Sequence, residues 1–286
     1  MNDDPSAPDP GLYLIATPIG TARDITLRAL DLLKTVNVLV AEDTRSLRRL
    51  MDIHGIDAAD RPILSYHDHN GPKVRPQILR RLQAGQSVLY ASEAGSPMVA
   101  DPGYDLVRDV IEAGLPLICA PGPSAVIASL CLSGLPTDRF LFAGFLPTSE
   151  SRRKTALGEL ADVPATLVFY ESPRRITALL HSAIEVLGEA RQAVLCREMT
   201  KKFEEVLRGS LGELADQLEV REIKGELVVL VERGTARATS VEEINQALAH
   251  ALSHMSVRDA AESVAQAFGL KKRDVYQQAL ALSKDD

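Results

Sequence analysis

The amino-acid sequence predicts an α/β protein, two α/β lobes followed by a small C-terminal helical domain. Three observations carry that expectation. Nine apolar strand-like runs alternate with amphipathic helical stretches between Leu12 and about Glu232, the pattern of largely parallel sheets covered by helices. The segment Pro121-Gly122-Pro123-Ser124 punctuates the middle of that stretch. Beyond Gly234 only helical periodicity remains.

The strand-like runs cover residues 12–16, 36–41, 63–66, 88–92, 116–120, 141–145, 166–170, 193–197 and 227–232. The run from Ser87 to Ala91 is apolar almost throughout, as a strand buried on both faces should be. Thr26 is placed to cap a helix starting at Leu27, and Ser124 to cap a helix over 125–132. In the C-terminal part Ser240 begins a helix that ends at Leu252. A second runs over 256–268, Gly269 stops it, and a third covers 271–282. The expected organisation is a disordered tail over 1–11, an N-terminal lobe over 12–122, a C-terminal lobe over 123–236, and a helical appendix over 240–286.

At 286 residues, with 45% hydrophobic and 25% charged side chains, the chain has ample material for more than one core. Its formal charge of −7 argues against coating nucleic acid by bulk electrostatics, although a local basic patch can still bind RNA. Cys119, Cys131 and Cys196 lie in apolar or helical contexts without paired spacing and are expected to be buried thiols. No apolar run reaches membrane-spanning length, and the acidic, proline-containing start is unlike a signal peptide, so a cytoplasmic protein is expected.

The most informative segment is Ser92-Glu-Ala-Gly-Ser-Pro-Met-Val-Ala-Asp-Pro-Gly103, between a buried strand and the helix that begins near Tyr104. It carries two glycines, two prolines and two acids, Glu93 and Asp101, more than a connector needs. Ligands of open α/β sheets sit at the carboxyl ends of strands, so a small polar ligand is expected there. The first strand ends in Ala16-Thr-Pro-Ile-Gly-Thr21, where Gly20 allows close backbone approach to a ligand. Ala41-Glu-Asp-Thr-Arg45 places two carboxylates and an arginine at the second strand's end, equally suited to a polar site or a helix cap. His67 and His69 flank Asp68, but no third ligand is apparent and no metal is expected. The clusters Arg152-Arg153-Lys154 and Arg174-Arg175 read alone as solvated faces. The appendix, with Gly269-Leu-Lys-Lys-Arg273 between helices, has the outline of a helix-turn-helix without a persuasive recognition helix; docking, dimerisation and RNA contact all remain open.

Taken in order, Leu12-Tyr-Leu-Ile-Ala-Thr-Pro-Ile-Gly20, Ala41-Glu-Asp-Thr-Arg45, Ser65-Tyr-His-Asp-His-Asn70, Ser92-Glu-Ala-Gly-Ser-Pro97, Ala100-Asp-Pro-Gly103, Pro121-Gly-Pro-Ser124, Gly134-Leu-Pro-Thr-Asp138, Gly144-Phe-Leu-Pro147 and Phe169-Tyr-Glu-Ser-Pro173 form one set. This set closely resembles the bacterial 16S rRNA (cytidine-2′-O)-methyltransferases, a branch of the tetrapyrrole methylase superfamily, over roughly residues 12–282. The resemblance implies two lobes of the tetrapyrrole methylase type, S-adenosylmethionine in the cleft between them, a homodimer, and methylation of the ribose 2′-hydroxyl of a cytidine in the decoding region of 16S rRNA. The chain departs from the family's common residues at Glu93 for Asp, Ser96 for Thr, and Thr21-Ala22 for Asn-Leu.

By the same resemblance the cofactor lies against Ala91, Ser92, Glu93, Ala94, Gly95 and Pro97, against Pro121, Gly122 and Ser124, and against Phe145 and Leu146. A 2′-hydroxyl is a poor nucleophile, so a base that takes its proton helps. Strand-end location makes Glu42, Asp43 and Glu171 the acid–base candidates, with Arg45 and Lys201 positioning phosphate or stabilising the alkoxide. Arg23, Arg28, Arg45, Arg152, Arg153, Arg174 and Arg175 are expected to rim the cleft for RNA. The alternatives are a methyltransferase of this fold acting on a tetrapyrrole or another small molecule, and a non-catalytic nucleoside-binding or interaction protein.

Overall fold

A computed structural model describes residues 6–67, 69–234, 241–268 and 270–283. Within the first lobe, β1 (Gly11–Ile15), β2 (Val38–Ala41), β3 (Ile63–Ser65), β4 (Ser87–Ala91) and β5 (Leu117–Ala120) form one sheet in the order β3-β2-β4-β1-β5. Every neighbouring pair is parallel. Successive side chains of a strand point to opposite faces, and both faces are covered. Tyr13, Ile15, Leu39 and Leu89 pack against Leu33 of α1 (Leu27–Thr35) and Met51 of α2 (Thr44–Ile53). Leu12, Leu14, Val40 and Tyr90 pack against Ile78 of α3 (Gly71–Gln83) and Leu106 of α4 (Tyr104–Glu112). Two covered faces explain why these strands read as continuous apolar runs. Because all five strands run the same way, their carboxyl-end loops gather along one edge.

The second sheet contains β6 (Phe140–Phe145), β7 (Thr166–Glu171), β8 (Gln192–Arg197), β9 (Glu205–Ser210) and β10 (Leu227–Val231), ordered β6-β7-β10-β8-β9. Only β6 and β7 pair in parallel; the other three pairs are antiparallel. The expectation of largely parallel sheets therefore holds in the first lobe and fails in the second. The connection over 198–204 is too short for a crossover and closes a hairpin instead. β9 itself was not anticipated. It is a half-buried edge strand carrying Glu205 and Arg208, and charge of that kind is how edge strands avoid further pairing.

One face of this sheet is covered by α6 (Glu150–Leu160), α7 (Ile176–Leu187) and α8 (Leu211–Glu219), through Leu157, Leu179 and Leu214 against Leu167, Phe169 and Val229. The other is covered by α5 (Ala125–Ser133), whose Val126 and Leu130 meet Val168, Val194 and Leu230. Ile19, from the loop after β1, joins that cluster.

Local signals fare unevenly. The Thr26 hydroxyl accepts from the Ala29 amide at 3.2 Å and caps α1. Ser124 precedes α5 but makes no side-chain cap bond. Cys196 is buried, and burial pushes its thiol up to about 11. Cys119 and Cys131 are exposed, contrary to expectation, because β5 is a sheet edge and Cys131 lies on the outer side of α5. At the start of the chain, the Tyr13 hydroxyl donates to the Asp9 carbonyl at 2.8 Å. Asp68, Ser240 and Gly269, each singled out in the sequence, lie outside the described residues.

The chain divides into two compact units, the first ending at Arg233 and holding both sheets, the second beginning at Gly234. The second unit consists of α9 (Val241–Leu252), α10 (Val257–Phe268) and α11 (Lys272–Leu282), packed on Ile244, Leu248, Ala261, Val264, Val275 and Ala279. Among the described residues no helix is long and apolar enough to cross a membrane.

Candidate active site

The loop from Ser92 to Gly103 is held in an unusual path by specific partners. Met98 and Ala100 adopt φ of 66° and 62°, a region that side-chain-bearing residues enter only when the surroundings enforce it. The fully buried Tyr90 donates its hydroxyl to the Pro102 carbonyl at 2.7 Å. At Gly103, with φ of 132°, an added Cβ would lie 3.0 Å from the Tyr90 ring. At the loop's start, Thr17 and Gly95 exchange backbone hydrogen bonds of 2.9 Å each, and the Thr17 hydroxyl donates to the Ser92 carbonyl at 3.1 Å. The Ser96 hydroxyl donates to the Pro123 carbonyl at 3.2 Å, which brings the loop against the Pro121–Ser124 crossing.

The second lobe contributes a matching turn after β8. Glu198 and Thr200 have φ of 49° and 63°. The Lys201 ammonium donates to Glu198 at 2.9 Å and to Glu226 at 3.0 Å, and the Glu226 amide donates to the Glu198 carboxylate at 3.0 Å. Burial opposes the Lys201 charge, but the two carboxylates more than offset it and raise its pKa. Gly20 packs directly on this turn: a Cβ there would come within 2.6 Å of both Lys201 and Thr200. The glycine thus permits close approach of the second lobe's Met199–Lys201 turn, and it also lines a small cavity. The Thr21 amide donates to the Thr200 hydroxyl at 3.0 Å beside it.

Between the two sets of loops lies a cavity of about 340 Å³, within the range of small-molecule sites. Its first-lobe wall is Ile19, Ala94, Gly95, Ser96, Val99, Ala100 and Asp101, with Ser124 and Ala125 at the start of α5. Its second-lobe wall is Phe145, Tyr170, Glu171, Ser172, Pro173, Met199 and residues 225–228. A smaller cavity of about 180 Å³ adjoins the same loop, lined among others by Thr17, Gly20, Asp43, Arg49, Ser92 and Glu93.

Of the residues expected at the cofactor, Ala94, Gly95, Ser124 and Phe145 line the larger cavity, while Ser92 and Glu93 line the smaller one. Ala91 and Pro97 are buried at the root and bend of the loop. Pro121 and Gly122 line neither cavity, although Gly122 packs tightly on Ala16. Leu146 is buried in the second-lobe core, and its carbonyl accepts a hydrogen bond from Arg175.

Of the acid–base candidates, only Glu171 lines the larger cavity. Its Oε1 accepts from the Ser172 amide at 2.8 Å and pairs with Arg175 at 3.2 Å. Its Oε2 is buried with no hydrogen-bond partner among the described residues. Burial raises its pKa against the pull of those neighbours. Asp43 caps α2 and binds Arg45 in a two-pronged pair at 2.8 and 3.1 Å, which holds its carboxyl down to about 2. Glu42 is half-buried at the end of β2, with its charge close enough to act on Asp101. Asp101 itself is pushed up to about 6, by burial first and then by Glu42 and Glu93. Sequence reasoning noted this acid without assigning it. Ser96, Val99, Tyr170, Met199 and the 225–228 segment were missed; only Tyr170 and Met199, as apolar residues at strand ends, offered a signal.

None of the seven arginines expected at the rim lines either cavity. Arg23, Arg28, Arg45, Arg152 and Arg174 are exposed. Arg153 is not: it is 4% exposed on the inner side of α6 and donates to Ser182 at 3.0 Å. Arg175 turns inward to Glu171 and Leu146. Among the described residues no group of three His, Cys, Asp or Glu side chains is arranged to hold a metal ion.

Residues 11–215 match the family of tetrapyrrole (corrin/porphyrin) methylases, and residues 238–283 match the RsmI C-terminal HTH domain. The chain is 45% identical over 275 residues to a Ribosomal RNA small subunit methyltransferase I of Mesorhizobium japonicum, covering 96% of this chain and 92% of that one. It is 40% identical to the protein of the same name in Escherichia coli O157:H7, covering 94% of each. Among solved structures it resembles uroporphyrin-III C-methyl transferase from Thermus thermophilus complexed with S-adenyl homocysteine, at a TM-score of 0.54 and 22% identity, over 79% of this chain and 98% of that one.

Proposed function

Since the chain belongs to the tetrapyrrole methylase family and, within it, to the ribosomal RNA small subunit methyltransferase I proteins, we propose that this S-adenosylmethionine-dependent methyltransferase acts on the ribose 2′-hydroxyl of a cytidine in the decoding region of small-subunit ribosomal RNA. The observation that carries the reading is the cavity on which the Ser92–Gly103 loop and the second-lobe strand ends converge.

The lining fits the cofactor. Phe145, Tyr170, Leu227 and Val228 offer an apolar wall for a purine, and the small side chains of Ala94, Gly95 and Ser96 leave room for ribose and amino-acid parts. Bound there, S-adenosylmethionine supplies an electrophilic methyl group on a sulfonium. The residues around it contribute orientation, because in-line transfer depends on holding two reactants in register. Ala91, Ser92, Glu93 and Pro97 shape the loop that does this, while Gly122 packs on the end of the first strand at Ala16 and Leu146 lies in the second-lobe core. Asp43 and Arg45 are committed to each other, and Lys201 to Glu198 and Glu226, so these three act by fixing the loops.

RNA reaches a chain of net charge −7 through the exposed Arg23, Arg28, Arg152 and Arg174. A cytoplasmic homodimer completes the reading. The sheet-edge strands β5 and β6 and the exposed Ile127, Cys131 and Phe140 are each available to a second copy.

Incubation with methyl-labelled S-adenosylmethionine and either small-subunit ribosomal RNA or a porphyrinoid tests the substrate. Label in the RNA at a cytidine ribose is expected; label only in the porphyrinoid, or none in either with the cofactor bound, overturns the assignment.

A further inference from the structure

Two residues lining the larger cavity, Glu171 and Asp101, carry a buried carboxylate oxygen without a partner among the described residues, and they differ in exposure. In Asp101 that oxygen is Oδ2. The residue as a whole is only half-buried, whereas Glu171 is buried. Its position is enforced from both sides. Ala100 before it sits at φ 62°, and Pro102 after it is held by the Tyr90 hydroxyl at 2.7 Å. An unsatisfied buried oxygen directly after a residue held in a left-handed conformation is expected where strain serves chemistry.

Resting on the methyltransferase reading above, we propose that Asp101 is the catalytic residue that accepts the proton of the ribose 2′-hydroxyl. The hydroxyl O–H bond breaks and its proton passes to the Asp101 carboxylate. The freed oxygen electron pair forms the new bond to the methyl carbon. The sulfur–methyl bond breaks with its electron pair left on sulfur, which cancels the sulfonium charge. Asp101 afterwards returns its proton to solvent.

The competing acids are less suited. The Glu171 side chain is 0% exposed and already engaged by Arg175 and the Ser172 amide, so a ribose on an RNA strand cannot approach it. Asp43, held down to about 2 by Arg45, is too weak a base. The groups that face Asp101 are Glu42 and Glu93 from the first lobe and Tyr170 from the second. The two carboxylates favour its protonated form, and with burial they place it at about 6, where it both takes and releases a proton near neutrality.

The test compares wild type, Asp101→Asn and Asp101→Glu in single-turnover methylation of small-subunit RNA across pH 5–8, with S-adenosylhomocysteine affinity by calorimetry and side-chain carboxyl titration by 13C NMR. The Asn variant should lose about 10²–10⁴-fold in rate while binding S-adenosylhomocysteine as wild type does. The Glu variant should recover part of the rate. The wild-type rate should rise with pH to a plateau with an apparent pKa near 6, matched by one carboxyl resonance absent from the Asn variant. Wild-type rate in the Asn variant overturns the proposal. So does loss of S-adenosylhomocysteine binding, which would make Asp101 a cofactor ligand, or the absence of any carboxyl titrating near 6 in wild type. If wild type itself leaves the RNA unmethylated, the substrate assignment falls as well, which separates the two failures.

Discussion

Each lobe brings one strained turn to the cavity, and the two are held by different forces. The first-lobe turn, with Met98 and Ala100 in left-handed conformation, is pinned from beneath by a neutral hydrogen bond from the fully buried Tyr90. The second-lobe turn, with Glu198 and Thr200 likewise left-handed, is pinned by the ion pairs of Lys201 with Glu198 and Glu226 at the surface. A buried neutral bond is indifferent to salt, whereas partly exposed charges are screened. Two turns of similar backbone geometry therefore respond to different changes of environment, and it is the salt-resistant one that carries Asp101.

The largest effect should come from filling the glycines on which the turns rest. Gly225→Ala places a Cβ on the Glu198 carboxylate at a φ of 94°, and about 2–4 kcal/mol of destabilisation is expected in denaturant titration. Gly103→Ala, at φ 132° with a Cβ 3.0 Å from the Tyr90 ring, should cost less, about 1–3 kcal/mol. Equal costs would mean that the second turn yields more readily than its packing implies.

Next in size is a pH effect confined to the first turn. The Asp101 carboxyl is raised to about 6 from an unfolded value of about 4, so the folded chain binds its proton more tightly. The cost of ionising it is absent below about pH 4 and fully present above about pH 6. Asp101→Asn should therefore melt higher than wild type at pH 7.5, with the advantage shrinking as pH falls from 6 to 4. A constant difference across that range would show that Asp101 titrates normally.

The smallest effects separate the two clamps. Tyr90→Phe removes one buried hydrogen bond, and about 1 kcal/mol should be lost equally at low and high salt. Lys201→Met should cost about 0.2–1 kcal/mol at low salt and nearly nothing in molar salt. The same salt response in both variants would erase the distinction.

Much of the scaffold was legible because burial on two faces writes itself into composition. Strands such as Ser87–Ala91 have no polar side to confuse the pattern. Strand direction leaves no such trace, so the antiparallel pairs of the second sheet were invisible, as was β9, whose charges look like loop. The Ser92–Gly103 segment announced a site through its glycines, prolines and acids. Which acid faces the cavity is decided by the backbone at Met98 and Ala100, and no residue count reveals that. Arg153 was taken for a surface cation because Arg152 and Lys154 flank it. It lies one turn before Leu157 on the inner side of α6, and helix geometry alone places the two together.

The placement of Ile19 has a consequence for how the molecule comes apart. This residue leaves the first sheet and completes an apolar cluster beneath the second, beside α5. Severing the polypeptide near Gly122 would therefore strip one half of a plug and leave the other with an oily socket. The two sheets should melt together in a single calorimetric transition, as one cooperative body, however separate they look along the chain.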